Sequence, residues 1–497
     1  MIFSRLYKLQ IGLSILIKNR FTEELILIRL THMKKSKSII LLGMILLAAC
    51  SSSADSIPPT PTSTGMQNTS TATATMEPTA TTTSAAQQEQ VLAFWHPWTG
   101  VKAQSVAALV DEYNRTNQDG ITVEVVAAGD QDFLVSKIQN AIEERAIPDV
   151  VAVPAGYLRS LHEDLGLLAA LNDYVDDETN GIPEEEQRTI PNLFWQQDEV
   201  DGVRYGVPAE YNPHLLYYNQ SWARELGFEN APATSEDFLN QACTAASYNA
   251  NDADDENNGT GGWIYAHDAL SMLSWMQVFG GGDIPSDFTR GFAFNTPENQ
   301  NAMEFLRTIY QLDCAWTGKE DTPYRYFSKR YALFYSGSSA DWYNQVNMDA
   351  VEGNNDGWTV IPYPGITGDP IVNGESLSYG IFQTSPEREA AAWNFIRWMI
   401  SRNTQTNLVE DSFSVPVNLD VVSQLGDFLN ENPGWQSMLA YMPLTKPAPV
   451  ISEWDVIGDL LDDAGWQLSL YNVKEADIPS ILENLENMVN EVINANQ

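Results

Sequence analysis

Basic side chains are scarce in this chain of 497 residues, which has 27 Lys and Arg against 66 Asp and Glu and a formal net charge of −39. Nucleic-acid binding draws its affinity from cations that displace counterions from phosphates. Anionic lipid headgroups likewise attract basic patches. The composition therefore excludes nucleic acid as a partner and excludes membrane docking through a basic patch.

Motifs for catalysis and for cofactor binding are also missing. The chain has only five His, and it contains no H-E-x-x-H, no G-x-S-x-G elbow before a suitable helix and no Gly-rich phosphate loop with Lys. A glycoside hydrolase needs two placed carboxylates. Asp268 and Glu375 could form such a pair, but abundant acids make chance pairs common. We therefore predict no catalytic residues and no cofactor, and a secreted carbohydrate-active enzyme is the less favoured alternative.

One acidic turn is similar to a calcium-binding loop, since oxygen-bearing side chains alternate before a glycine at Asp252, Asp254, Glu256 and Asn258. If Asp254 takes the first position of an EF-hand loop, Tyr265 falls where that loop needs a bidentate Glu. The match fails, so we predict a polar surface turn and no metal site. Weak binding of extracellular calcium stays open.

The N-terminal residues 1–49 carry eight Lys and Arg and two Glu. A basic stretch at residues 33–37 precedes an apolar run from Ser38 to Leu47 that is too short to span a bilayer. The small residues that follow end in Cys50, and this pattern resembles the lipobox of bacterial lipoproteins. The resemblance implies a signal region over 1–49, a true start at Met33 and a lipidated Cys50. A plain signal peptide or an N-terminal anchor helix is the alternative.

Residues 50–90 form the next segment, which after Cys50 is rich in Ser, Thr, Ala and Pro and nearly uncharged. It buries too little apolar surface to offset its chain entropy, so we predict a flexible tether. The folded body is then residues 91–497. Its two cysteines, Cys243 and Cys314, can form a disulfide in an oxidising exterior, and two buried free thiols are the alternative.

The first part of the body alternates strand and helix patterns, in the order 91–95, 102–117, 121–126, 133–145 and 149–153. Such alternation predicts an α/β fold with a parallel sheet. Ligands of open parallel sheets meet loops at the carboxyl ends of the strands. Here those loops are 96–100 and 154–157.

Ten short segments of the body each indicate a protein family only weakly, but their order along the chain is specific. They are 92–100, 148–151, 202–212, 217–219, 231–238, 332–338, 358–364, 376–382, 390–399 and 408–416. In this order they resemble the extracellular solute-binding proteins of bacterial ABC importers, in the sugar-binding group typified by the maltose-binding protein. The resemblance covers essentially all of 91–497.

The resemblance implies a two-lobed periplasmic-binding-protein-like fold of type II, with hinge strands joining the lobes and a ligand cleft between them. Lobe 1 is expected at about 91–208 and 381–430, and lobe 2 at about 213–374 and 431–497. The chain would cross near 209–213 and 375–380. ABC permease subunits with their ATPase are the implied partners, at the outer face of the cytoplasmic membrane. We expect the body to be a monomer.

Sugar sites favour aromatic platforms and small polar side chains, because sugar rings have apolar C–H faces and a hydroxyl rim. Position in strand-end loops, at the crossings or in Gly-rich turns suggests ligand contact for Trp95, His96, Trp98, Tyr157, Tyr211, Asn212, Trp263, Ser336, Ser338, Glu375 and Ser376. The resemblance adds Asp268 as an acidic contact and Trp454 as a stacking position. Core packing stays open for Trp95, and Trp263 could simply cover lobe 2.

The charge of the candidate loops restricts the ligand. A phosphate or carboxylate ligand would need Arg or Lys, and these loops contain almost none. We therefore predict a neutral sugar, and an oligosaccharide more than a monosaccharide. The alternative is a polyamine or other small solute, with Asp268 and Glu375 acting together with aromatic rings on a cation.

Overall fold

The computed structural model describes residues 90–285, 291–320 and 322–496. The signal region, Cys50 and the tether before residue 90 lie outside these ranges, so the expectations for them stay predictions. Within the described ranges, no helix has both the length and the apolar character needed to cross a membrane.

Strands and helices alternate through the first part of the body, and helices dominate its last part. The strands are β1 (Gln90–His96), β2 (Ile121–Ala127), β3 (Val150–Pro154), β4 (Glu199–Val200), β5 (Val203–Arg204), β6 (Gly206–Asn219), β7 (Gly261–Ile264), β8 (Ala315–Trp316), β9 (Ala332–Ser338), β10 (Trp358–Ile361), β11 (Asn373–Ile381) and β12 (Lys446–Pro447). The helices are α1 (Gly100–Thr116), α2 (Gln131–Glu144), α3 (Ala155–Glu163), α4 (Asn172–Val175), α5 (Glu184–Gln187), α6 (Asn192–Gln196), α7 (Gln220–Glu225), α8 (Ser235–Asn251), α9 (Ala269–Val278), α10 (Pro297–Gln311), α11 (Tyr324–Ser328), α12 (Trp342–Glu352), α13 (Pro386–Met399), α14 (Arg402–Ser412), α15 (Gly426–Glu431), α16 (Pro433–Leu439), α17 (Trp454–Leu468) and α18 (Ile478–Asn496).

Across the described residues, ten strands form one sheet in the order β2–β1–β3–β11–β6–β9–β7–β8, with β10 paired to β6 and β12 to β11. Strands β1, β2 and β3 are parallel, which confirms the parallel sheet predicted for the first part of the body. Strands β7, β8 and β9 form a second parallel region. Between the two regions, β11 and β6 run antiparallel to each other and to β3 and β9 respectively.

Strands β6 and β11 extend through both parallel regions. The first part of β6 pairs with β11, and its second part, from His214 to Asn219, pairs with β9 and β10. Strand β11 continues from its pairing with β12 at Asn373 to its pairing with β3 at Ile381. The chain therefore crosses between the two regions on these strands, where both crossings were expected.

Each parallel region has its own apolar core. Around β1–β3, Phe94 packs in one cluster with Phe395 of α13. Around β7–β9, Trp263 packs in another with Leu461 of α17. In a third cluster, residues between 409 and 442 pack with Tyr217, Tyr335 and Trp342. This cluster extends across residue 430, where the sequence suggested a lobe boundary, and the boundary itself stays a prediction.

Helix α8 begins at a capping box. The Oγ1 atom of Thr234 accepts a hydrogen bond of 3.1 Å from the Asp237 backbone N–H, and the Asp237 carboxylate accepts one of 3.0 Å from the Thr234 backbone N–H. An N-cap of this kind stabilises a helix by about 1 kcal/mol. The buried residues Phe238, Ala242 and Ala245 then follow at helical spacing and face the core.

Cys243 on α8 and Cys314 just before β8 are joined by a disulfide. The pairing considered from the sequence is therefore present in the structure. Beside the bridge, Gly262 of β7 passes so close to Cys314 that a Cβ atom would lie 1.9 Å from its carbonyl oxygen. Only glycine permits this approach, so the sequence keeps α8, β7 and β8 tightly packed here.

Candidate functional site

A cavity of about 420 Å³, the main cavity, lies where the two regions of the sheet meet. Its walls come from the β1–α1 loop and the first turn of α1, from the middle of β6 and β11, and from the segment after β9. The lining residues are Pro97, Trp98, Thr99, Gly100, Val101, Lys102, Asp130, Gln131, Glu210, Asn212, Ser338, Ala340, Asp341, Tyr343, Asn344, Glu375, Leu377, Ser412 and Ser414. Its volume is within the usual range of small-molecule sites.

Trp98, Lys102 and Glu210 form a polar cluster in the wall of the main cavity. The Glu210 carboxylate accepts a hydrogen bond from the Trp98 Nε1–H and forms an ion pair with the Lys102 ammonium. The Lys102 Nζ atom also lies 5.0 Å from the centre of the Trp98 ring. Burial lowers the pKa of Lys102, and the negative charge of Glu210 opposes this shift. The cluster ties the β1–α1 loop to hinge strand β6.

Two other carboxylates of the main cavity are held by hydrogen bonds from the protein. Asp341 accepts one of 2.6 Å from the Tyr324 hydroxyl and one of 2.7 Å from the Ser338 backbone N–H. Burial nevertheless raises the pKa of Asp341. Asp130 caps helix α2 by accepting a hydrogen bond of 3.0 Å from the Phe133 backbone N–H. Both carboxylates are thus fixed on the wall, where they can accept hydrogen bonds from ligand hydroxyls.

A smaller cavity of about 60 Å³, the side chamber, shares Gln131 and Glu375 with the main cavity. It lies between the end of β3, strand β11 and the segment that leads into α17. Its other lining residues are Pro154, Ala155, Gly156, Tyr157, Ser376, Ala448, Pro449, Val450, Ile451, Ser452, Trp454 and Asp455.

The two carboxylates of the side chamber are not paired within the protein. Neither Glu375 nor Asp455 makes a hydrogen bond or ion pair through its side chain with any described residue. Burial raises the pKa of Glu375, and the negative charges of Asp268, Glu210 and Asp455 add to the rise while His214 opposes it. Burial also raises the pKa of Asp455. The chamber therefore brings together two carboxyl groups that no described residue pairs, and part of each side chain stays open to solvent.

A family model described as bacterial extracellular solute-binding protein matches residues 108–437, which is more than half of the chain. The chain belongs to this family. Its members are binding proteins that act outside the cytoplasm, as the description states. A putative binding protein from Brucella abortus is 23% identical over 338 residues, which cover 67% of this chain and 77% of the relative.

Solved structures are similar over most of the solute-binding body. The cyclic alpha-maltosyl-1,6-maltose binding protein from Arthrobacter globiformis aligns with a TM-score of 0.66 and 19% identity, over 81% of this chain and 99% of that one. UgpB from Mycobacterium tuberculosis, solved with glycerophosphocholine, aligns with a TM-score of 0.66 and 18% identity, over 81% and 98%. These likenesses confirm the two-lobed α/β fold that the sequence predicts. The main cavity lies where a cleft between the lobes was expected, and its role as the ligand site stays a prediction.

The structure brings seven of the predicted ligand contacts to the cleft. Trp98, Asn212, Ser338 and Glu375 line the main cavity, and Tyr157, Ser376 and Trp454 line the side chamber together with Glu375. Ser376 is mostly buried, and its hydroxyl donates a hydrogen bond of 2.9 Å to the Gln197 side chain. Contact of these residues with a ligand stays a prediction.

The structure places Trp95 and His96 away from the cleft walls. The ligand contacts predicted for these two residues are therefore corrected. Side chains alternate along a strand, and Trp95 faces α2, where the Lys137 Nζ atom lies 4.3 Å from its ring centre. His96 is fully buried, 4.9 Å from the Trp98 ring between centroids. Burial and the charge of Lys102 lower the pKa of His96 to about 4. His96 therefore supports Trp98 as a neutral ring.

The ligand contacts predicted for Tyr211 and Trp263 are also corrected, because both side chains are fully buried in apolar cores. Tyr211 alternates on β6 with Glu210 and Asn212, which line the main cavity, and its own ring packs against Phe194 at 3.5 Å between centroids. Trp263 packs in the core of the second parallel region. Its Gly-rich turn positions the strand rather than a ligand.

Asp268 and Ser336 lie near the cleft but not on its walls. Asp268 caps helix α9 by accepting a hydrogen bond of 3.0 Å from the Ser271 backbone N–H, and its carboxylate lies 3.6 Å from Nε2 of His214. Its charge acts on Glu375 from there. Ser336 lines a separate cavity of about 290 Å³ beside His267. Direct ligand contact by these two residues is not supported by the cavity walls.

Five charged residues of the cleft were missed in the sequence: Lys102, Asp130, Glu210, Asp341 and Asp455. A signal did exist for Lys102, since helix α1 has no acidic residue in its first turn and carries a lysine there instead. A cation is unfavourable beside the positive end of the helix dipole. Glu210 lay inside the predicted first crossing, where side-chain alternation could have separated it from Tyr211.

The acidic turn at Asp252–Asn258 uses its side chains for local hydrogen bonds. Asp252 accepts a hydrogen bond of 2.8 Å from the Asp254 backbone N–H, and Asp254 accepts one of 3.0 Å from that of Glu256. Among the described residues, no group of three or more His, Cys, Asp or Glu side chains is arranged to hold a metal ion. The structure thus gives no support to calcium binding at this turn.

Proposed function

We propose that this protein captures a sugar outside the cytoplasmic membrane and delivers it to an ABC importer as a lipid-anchored substrate-binding subunit. The observation that carries the proposal is the main cavity itself. It has a volume of about 420 Å³ and is lined by both regions of the sheet and by both hinge strands, through Glu210 and Glu375. Membership of the extracellular solute-binding family supports a binding role rather than catalysis.

The chemistry of the walls favours a polyhydroxylated ligand. Tyr343 and the small exposed part of Trp98, which is 6% exposed, offer aromatic surface, and Asn212, Asn344 and the carboxylates offer hydrogen-bonding groups. The basic group among the lining residues, Lys102, is already paired with Glu210, so an anionic ligand would find no free cation there. The Arthrobacter globiformis protein named for a cyclic maltosyl ligand supports an oligosaccharide.

Closure of the cleft follows from the position of the main cavity. A ligand that contacts both lobes binds the closed form better than the open form and shifts the population towards it. Strands β6 and β11 are the elements that both lobes share, so they are the hinge about which closure would occur. The closed form would then be presented to the permease and its ATPase.

A thermal-shift screen of the purified protein tests this proposal. The panel contains neutral mono- and oligosaccharides, amino acids and non-sugar solutes, which are included because UgpB was solved with glycerophosphocholine. A ligand at 100 times its dissociation constant adds about 2.7 kcal/mol to the unfolding free energy, which gives a clear rise in melting temperature. A rise with one class of sugar supports the proposal, and a panel without a rise for any sugar contradicts it.

A further inference from the structure

The side chamber has a volume of about 60 Å³, which holds only a few water molecules. It is therefore suited to a substituent of a few non-hydrogen atoms, whereas the main cavity, at about 420 Å³, has room for sugar rings. Glu375 and Gln131 line both cavities. One ligand can thus extend from the main cavity into the side chamber.

Five of the residues that line the two cavities are carboxylates, and one, Lys102, is basic. Glu210 is satisfied by Trp98 and Lys102, and Asp341 by Tyr324 and Ser338. Asp130 is satisfied as a helix cap. The remaining two, Glu375 and Asp455, both lie in the side chamber and have no hydrogen-bond or ion-pair partner among the described residues.

Two aromatic rings accompany these carboxylates in the side chamber, those of Tyr157 and Trp454. An ammonium group is attracted by aromatic faces and forms short, charge-assisted hydrogen bonds with carboxylates. A neutral hydroxyl gains less from the same surroundings. A carboxylate or phosphate group would be repelled by Glu375 and Asp455.

We propose that the side chamber binds the protonated amino group of an amino sugar whose ring lies in the main cavity. This inference rests on the proposed function and names the class of sugar. The main cavity decides between an amino sugar and a linear polyamine. Its amide and hydroxyl groups, from Asn212, Asn344, Ser338, Ser412 and Ser414, suit the hydroxyl groups of a sugar ring, whereas the methylene chain of a polyamine would leave them without hydrogen-bond partners.

The test measures affinities of the full chain for sugars that differ in one substituent. Glucose, glucosamine and N-acetylglucosamine form one set, and cellobiose, the glucosamine disaccharide and its N-acetylated form another; galactose, galactosamine and maltose are added, with spermidine as the polyamine. We expect at least one amino sugar to bind about tenfold more tightly than its hydroxyl counterpart, which corresponds to about 1.4 kcal/mol. We expect acetylation to abolish the gain.

Each other outcome contradicts a defined part of the account. Neutral sugars that bind without an amino preference overturn the inference and leave the proposed function intact. Spermidine binding without any sugar binding overturns both the amino-sugar inference and sugar capture. Absence of binding to every member of the panel also overturns both.

A matched pair of variants tests whether the side chamber causes the preference for amino sugars. Glu375→Gln is expected to remove the roughly tenfold preference, so that in this variant the amino sugar binds no more tightly than its hydroxyl counterpart. Glu483→Gln makes the same change on the exposed surface of α18 and is expected to keep the preference. Unliganded melting curves check folding, and Asp455→Asn repeats the test if Glu375→Gln does not fold. An unchanged preference in Glu375→Gln, or in Asp455→Asn where it replaces that variant, contradicts the inference.

Discussion

Lys102 and Glu210 form an ion pair across the cleft wall, between the first turn of α1 and hinge strand β6. Both side chains are largely buried. Removal of one partner of such a pair leaves an uncompensated charge and costs about 3–5 kcal/mol, whereas replacement of both is often tolerated. The pair therefore contributes to the stability of the cleft wall and leaves neither of its two charges uncompensated.

The first prediction follows from this pair. Lys102→Met is expected to lower the unfolding free energy by about 3 kcal/mol, and Lys102→Met combined with Glu210→Gln is expected to recover most of the loss. Chemical unfolding of the two single variants and the double variant measures the coupling. Additive losses would show that the two side chains do not interact as described.

Trp98 and Trp95 provide a matched comparison of two tryptophans three residues apart. Trp98→Ala removes aromatic surface from the main cavity and is expected to weaken sugar binding about tenfold or more, because central aromatic contacts carry much of a binding energy. Trp95→Ala removes a ring that packs against α2 and is expected to lower stability with affinity unchanged. Titration calorimetry of both variants decides. Equal affinities for Trp98→Ala and the native protein would contradict the site.

Asp198 makes folding stability depend on pH. It is buried beside hinge strand β11, where it accepts a hydrogen bond of 2.7 Å from the Ser378 hydroxyl. Burial raises its pKa from 3.8 to about 7, although Ser378 and Arg204 lower it; Glu199 raises it further. Between those pH values the folded protein binds a proton that the unfolded chain releases, so this contribution to stability falls as pH rises towards 7.

Asp198→Asn removes this contribution and is expected to be more stable than the native protein at pH 8. Melting temperatures of the two proteins, measured from pH 5 to pH 8, should diverge as pH rises. His96, whose pKa is lowered to about 4, changes the stability of both proteins equally and in the opposite direction. Its effect therefore cancels in the difference between the two melting temperatures. If the melting temperatures of the two proteins changed in parallel with pH, the burial of an ionisable Asp198 would be contradicted.

The disulfide between Cys243 and Cys314 spans 71 residues of chain. Cross-links of that length stabilise by roughly 4 kcal/mol in the chain-entropy account. Reduction is therefore expected to lower the melting temperature by several degrees, and Cys243→Ser with Cys314→Ser should be insensitive to reductant. Alkylation of the unfolded, unreduced protein should label neither cysteine. Labelling at both positions would contradict the bridge.

Cys50 tests the membrane anchor proposed from the lipobox resemblance. Cys50→Ala is expected to move the protein from the membrane fraction to the soluble fraction, since no lipid could then be attached. Fractionation followed by detection of the body measures this. Membrane association that persists in the variant would indicate another anchor.

Sequence patterns predicted the fold well because they depend on local periodicity and order. The strands around Phe94 and Val123 lie where the patterns indicated. Strands β6 and β11 join the two parallel regions of the sheet near the expected crossings, and the lobe bounds themselves stay a prediction.

The site was predicted less well because the orientation of a side chain is a tertiary property. Trp95 and Trp98 are close in sequence, yet one packs against α2 and the other lines the main cavity. Strict alternation along β6 would have favoured Glu210 and Asn212 over Tyr211. Asp455 lies in the side chamber because the chain returns to the cleft after β12. The residues next to Asp455 in the sequence do not indicate this position.

Capture without chemistry is the central claim, and one calorimetric titration tests it most directly. The native protein is titrated with the sugar that gives the largest thermal shift, and the sugar is recovered afterwards and analysed for new reducing ends. The account predicts saturable binding of one sugar per chain and recovery of unchanged sugar. Release of new reducing ends would show a carbohydrate-active enzyme and would contradict the account.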